Sequence, residues 1–78
     1  MKKIKVRANN MEDILSMNET MISYKNLKFD IHSGSIDLDG KSVLGLLGLG
    51  IGSFEIHISG EPHEDINEFI KKIKRYEI

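Results

Sequence analysis

The chain has 78 residues, no cysteine, and 11 Lys+Arg against 12 Asp+Glu, for a formal net charge of −1. At that length one small domain, residues 1–78, is expected, and the lack of cysteine excludes disulfides, thiolate metal sites and a cysteine nucleophile. The balanced charge argues against a nucleic-acid or anionic-membrane partner, and 40% hydrophobic with 29% charged residues is a globular composition. Met1 to Arg7 carries charge with no apolar stretch behind it, unlike a signal peptide. The longest apolar run, Val43 to Ile51, contains three glycines and is too short to span a bilayer. A cytoplasmic location is expected.

Ile4 and Val6 alternate with Lys3, Lys5 and Arg7, the period of a half-buried strand. Asn9 and Asn10 then offer N-cap side chains, with Glu12 and Asp13 in a first turn. Met11, Ile14, Leu15, Asn18, Met21 and Ile22 share one face, so the pattern predicts a helix from about Met11 to Ser23. Three of the four methionines, Met11, Met17 and Met21, lie in it and read as adaptable core filler. Leu27, Phe29 and Ile31 alternate with polar residues, Ser33-Gly34 turns the chain, and Ile36 and Leu38 continue the alternation, which predicts a hairpin. Ser42 is placed to cap a short helix through Leu47, broken by Gly48, Gly50 and Gly52. Phe54, Ile56 and Ile58 mark a fourth strand. Pro62 opens a last helix with Ile66, Phe69, Ile70 and Ile73 inward, acidic residues early and basic residues late. The order β-α-β-β-α-β-α predicts an α+β two-layer sandwich, a four-stranded, mostly antiparallel sheet with helices on one face.

Phosphate-cradling motifs fail on spacing. Gly40-Lys41-Ser42 resembles the end of a P-loop, but Ser35 stands where the first glycine belongs. Gly48 and Gly50 lack the third glycine of a dinucleotide fingerprint, since Ser53 is there. His32 and His57 fall on polar strand faces near Asp30 and Glu55, so adjacent strands would bring two imidazoles and two carboxylates together; a solvated face is the simpler reading, and no metal site is assigned. His63 reads as a surface residue at the start of an acidic helix turn. Ser42 reads two ways: an ordinary N-cap beside core leucines, or a hydroxyl exposed at the positive end of a helix dipole.

The segment Gly40-Lys41-Ser42-Val43-Leu44-Gly45-Leu46-Leu47-Gly48-Leu49-Gly50 resembles the Lys-Ser-Ile-Met-Gly-Val-Met-Ser-Leu-Gly signature of the HPr family, phosphocarriers of the bacterial sugar phosphotransferase system. Element order, length, the hairpin before the segment and the acidic-start helix after it extend the resemblance over nearly the whole chain. It implies the family's open-faced α+β sandwich, with a four-stranded antiparallel sheet and three helices on one side. That family carries phosphate on a histidine in a Gly-x-His-Ala-Arg-Pro motif. The corresponding stretch here, Ala8-Asn9-Asn10-Met11-Glu12-Asp13, has no histidine, arginine or proline, and Glu12 and Asp13 repel an incoming phosphoryl group. Ser42 matches the serine phosphorylated by HPr kinase, and Val43, Leu44 and Leu47 match the apolar partner-binding patch.

The resemblance thus implies a non-catalytic regulatory module without cofactor, binding a protein partner such as HPr kinase or a transcriptional regulator through the Ser42 helix. A carrier using another acceptor and a structural or oligomerising domain are the alternatives, and the sequence leaves the oligomeric state open. Gly40 and Gly48 are departures from the family pattern that are expected to loosen the helix. Lys41 is expected to assist a phosphoryl group on Ser42, and Asp37 and Asp39 to oppose it.

Overall fold

The computed structural model describes residues 1–78 and has the expected order: β1 (Lys2–Ala8), α1 (Met11–Ile22), β2 (Leu27–Ser33), β3 (Ile36–Asp39), α2 (Val43–Leu49), β4 (Gly52–Gly60) and α3 (His63–Lys72), followed by a 3-10 turn at Lys74–Tyr76. The strands form one antiparallel sheet in the order β1-β4-β2-β3. β4, last in sequence, thus sits between β1 and β2, pairing Ile4 with Ile56 and Phe29 with Ile58. The fold is the expected two-layer α+β sandwich.

Alternation decides which face is covered. Ile4, Val6, Ala8, Phe29, Ile31, Phe54, Ile56 and Ile58 are all buried on one side of the sheet, where the helices pack. From α3, Ile66, Phe69 and Ile73 complete this core, with Ile70 partly buried against it. Phe69 stacks tilted on Phe29 at 4.6 Å and edge-on to Tyr24 at 5.9 Å, the off-face geometries that aromatic pairs favour. Tyr76, in the 3-10 turn, is also buried, a core position that no periodicity marks.

Helix α1 corrects the expected face. Its buried residues are Ile14, Met17, Asn18 and Met21, while Met11, Leu15 and Ile22 stay exposed. Positions 14, 17, 18 and 21 follow the i, i+3, i+4, i+7 rule and fill the width a helix can press onto a sheet. Met11, Leu15 and Ile22 lie on the adjoining flank, so Met11 is not core filler. Ser23 is the C-cap, and its N–H bonds back to Glu19. At the other end the Asn10 side chain accepts from the Asp13 N–H, and the Asp13 carboxylate accepts from the Asn9 N–H, both at 2.9 Å.

α2 also differs from expectation. Gly48 lies inside it, and the helix stops at Gly50, whose φ of +83° suits a residue without a side chain. Gly40 precedes the helix, is buried, and does not loosen it. A Cβ there would lie 2.5 Å from Met21 Sδ and 2.9 Å from Phe29 Cβ, so the close approach of this backbone to α1 and β2 requires glycine.

A polar clamp fastens α3 to the loop after α1. The Tyr24 hydroxyl donates to Glu68 Oε1 at 2.7 Å, and Lys72 Nζ lies 3.6 Å from the same oxygen and 5.1 Å from the Tyr24 ring centre. The Tyr24 hydrogen bond, followed by the Lys72 charge, holds the Glu68 carboxyl below its ordinary value. Burial, then the bond to Glu68, pushes the Tyr24 hydroxyl up. A depressed carboxylate stabilises the fold above its unfolded value of 4.5, and that contribution disappears as pH falls through the lower folded value. Tyr24→Phe should therefore flatten the loss of stability on acidification below pH 4.5, measured as urea midpoints against pH. Parallel curves for parent and variant would show that the clamp carries no linkage.

Candidate functional site

The site begins where β3 ends. The Asp39 carbonyl accepts the Ser42 N–H at 3.0 Å, and Asp39 Oδ1 accepts the Lys41 N–H at 2.9 Å, which turns the chain from strand to helix. Ser42, with extended backbone, is the N-cap of α2, and its Oγ accepts the Gly45 N–H at 3.1 Å. The residue is exposed, so its hydroxyl caps the helix in contact with solvent.

The side chains after Ser42 separate by helical phase. Leu46 is buried in the core and anchors α2. Leu47 and Leu49 are partly buried and pack against the same core. Val43 is 39% exposed and Leu44 79% exposed, so two of the three expected patch residues are presented to solvent and Leu47 only in part. Leu46, which the sequence reading did not single out, is the structural residue of this helix. A helix that served only as core would bury both Leu44 and Leu47; here Leu44 is exposed and Leu47 is partly buried.

The apolar surface extends beyond α2. The Asn18 side chain donates to the Gly40 carbonyl at 2.9 Å, which places the Asn18 edge of α1 beside the start of α2. Met11, Leu15 and Ile22 share that edge and are exposed, as is Ile51 after α2. The one face expected for α1 is thus wider than the part that packs, and Met11, expected as core filler, lies with Leu15 and Ile22 on the exposed flank beyond Asn18.

Lys41, expected to assist at Ser42, makes its hydrogen bond elsewhere. Its Nζ donates to the Tyr24 carbonyl at 2.8 Å and lies 5.9 Å from the Phe29 ring centre. Asp39 remains three residues from Ser42, with one oxygen engaged by the Lys41 N–H. At the start of α1, the Asp13 N–H meets the Asn10 side chain and the Asp13 carboxylate takes the Asn9 N–H just before the helix, and a polar cleft of about 420 Å³ beside them is bordered by Arg7, Asn10, Glu12, Asp13, Arg75 and Tyr76.

On the uncovered sheet face the register brings His32 and His57 together. Their rings stack with centroids 3.9 Å apart. His32 Nδ1 lies 2.6 Å from Asp37 Oδ1, and His57 Nε2 lies 3.1 Å from Glu55 Oε1. The partner of His32 is thus Asp37 from across the hairpin rather than Asp30. The His57 bond holds the Glu55 carboxyl below its ordinary value, against a smaller opposing effect of burial. Each ring engages a different carboxylate, and no three ligating side chains converge on a point where a metal would sit. His63 is exposed at the start of α3, away from this pair.

No family model matches the chain, and no curated protein matches it. Among solved structures it is similar to "Crystal structure of HPr-C-His from Thermoanaerobacter tengcongensis", at 16% identity and a TM-score of 0.72, covering 95% of this chain and 92% of that chain. No helix is long and apolar enough to cross a membrane.

The division of labour within α2 is testable. Leu46→Ala should cost about 2–5 kcal/mol of stability through the cavity it leaves, whereas Leu44→Ala should stay within about 0.5 kcal/mol of the parent. Urea denaturation measures both, and equal costs would refute this assignment.

Proposed function

We propose that this chain is a non-catalytic, cytoplasmic regulatory module of HPr type, which binds a protein partner through the Ser42 helix and is switched by phosphorylation of Ser42. The observation that carries the reading is the exposed Ser42 hydroxyl at the start of a helix whose next two side chains, Val43 and Leu44, are also exposed. The HPr-like fold supports placing the chain near the sugar phosphotransferase system. A regulatory role is favoured over phosphate carriage by the start of α1. No nitrogen nucleophile lies at residues 8–13, and the Asp13 N–H of the first helical turn is already engaged by the Asn10 side chain.

A phosphoryl group on Ser42 brings about −1.5 to −2 charges and three acceptor oxygens. With Lys41 bound to the Tyr24 carbonyl and Asp39 nearby in the chain, no cation of this protein is committed to that dianion. Its consequence is therefore recognition rather than stability. A partner with an arginine beside an apolar groove would read the dianion together with Val43, Leu44 and the exposed part of Leu47.

The test is labelling by HPr kinase with ATP. The parent should be labelled at Ser42, and Ser42→Ala should remain folded, at a capping cost of about 1 kcal/mol, without taking label. Labelling of neither protein, or of both equally, would contradict the assignment. Incubation with phosphoenolpyruvate and the system's general phosphotransferase should give no acid-labile label; such a label would establish the carrier reading instead.

A further inference from the structure

The two edges of the sheet are treated differently. At the β1 edge the C-terminus closes the middle of the strand: Glu77 bridges Val6, and the Ile78 N–H donates to the Lys5 carbonyl at 3.0 Å. β3 forms the opposite edge, and no segment pairs with its outer rim. The two-residue connection Gly34-Ser35, with φ +61° at Gly34, and the bond from the Gly40 N–H to the Phe29 carbonyl at 2.8 Å set the ladder. In that phase Ile36 and Leu38 exchange bonds with β2 and Gly40 donates to it, so the Asp37 N–H and C=O and the Asp39 N–H point away from the sheet. Exposed edges are commonly protected by shortness, by charged side chains, by proline or by a bulge. β3, Ile36-Asp37-Leu38-Asp39, is short and in continuous register, and its two charges are both acidic, so they repel an acidic strand and not a basic one.

The chemistry of this rim is one-sided. Asp37 and Asp39 project onto the uncovered face, and Asp30 stands directly opposite Asp39, a like-charge pairing that works against the ladder. No lysine or arginine forms an ion pair with any of the three; only His32 contacts Asp37. On the other face Ile36 is 50% exposed, and Leu38 Cδ1 lies near Gly45 of α2.

We propose that the β3 edge is a docking site for an extended segment of a partner protein whose residues alternate between basic and apolar, received as a fifth strand. Backbone bonds to Asp37 and Asp39 supply the pairing, basic side chains offset Asp30, Asp37 and Asp39, and apolar ones cover Ile36. The chain's own β1, Lys3-Ile4-Lys5-Val6-Arg7, has this alternation, but β4 on one side and the C-terminal residues on the other hold it in place, so a second copy is not the occupant. The proposal does not depend on the role of Ser42.

The experiment titrates the ¹⁵N-labelled full chain with a capped peptide of sequence Lys-Ile-Lys-Val-Arg. Saturable shifts and new amide-exchange protection are expected at Asp37 and Asp39. Asp37→Pro removes an outward N–H at a position an edge strand tolerates and should abolish binding in a folded protein. Asp37→Asn with Asp39→Asn keeps an acceptor for the Lys41 N–H and should weaken binding roughly tenfold. The proposal is overturned by the absence of a saturable shift, shifts confined to other elements, or equal binding of Glu-Ile-Glu-Val-Glu. Undiminished binding by folded Asp37→Pro, or self-association of the free chain through β3, overturns it as well.

Discussion

The arrangement of the helical layer depends on how closely the chain approaches itself at Gly40. There the backbone passes between α1 and β2 at a distance that leaves no space for a Cβ beside Met21 Sδ and Phe29 Cβ. Two hydrogen bonds hold it: the Gly40 N–H donates to the Phe29 carbonyl, and the Gly40 carbonyl accepts from the buried Asn18 side chain. Asn18 is the only buried polar side chain, and its bond satisfies a carbonyl that would otherwise be buried without a partner. Because β3 ends and the turn to α2 begins at this point, the same contact sets where Ser42 emerges and which flank of α1 borders α2. The exposed apolar positions on both helices follow from it.

Charge is distributed in keeping with this division between a packed layer and an open face. The helical face of the sheet is wholly apolar in its centre, while the open face runs from Lys3, Lys5 and Arg7 on β1, through His57, Glu55 and His32, to Asp37 and Asp39 on β3. Net charge near zero therefore conceals a sheet face that is basic at one edge and acidic at the other. The balance that excludes nonspecific binding to a polyanion does not exclude a local acidic rim.

Where one face of an element is buried and the other solvated, the sequence was legible. Alternation in Ile4-Val6, Phe29-Ile31 and Phe54-Ile56-Ile58 identified three strands and their inward residues, and the α3 stripe Ile66, Phe69 and Ile73 was equally clear. On α1 the apolar arc is wider than one packing face, and sequence periodicity does not divide the part that meets the sheet from the part left at the surface. The same problem arises in α2, where leucines alternate with glycines: hydropathy does not separate Leu46, which is buried, from Leu44, which is not. Gly40 and Asn18 were opaque because their roles are distances to residues far along the chain. The Lys41 bond to the Tyr24 carbonyl was opaque for the same reason, since it spans 17 positions. Of the candidate site, Ser42 and its cap were legible from local spacing, while the surface around it required the packing of α1 against α2.

The dependence of the Ser42 helix on the Gly40 contact is best tested by amide hydrogen exchange on Gly40→Ala. The added methyl must displace Met21 and press on Phe29, and it should cost about 1–3 kcal/mol. The account predicts that protection of the α2 amides, including the Gly45 N–H that Ser42 caps, falls selectively while the β1-β4-β2 ladder keeps its protection. Protection in α2 equal to that of the parent, or a loss spread uniformly over helices and strands, would contradict it.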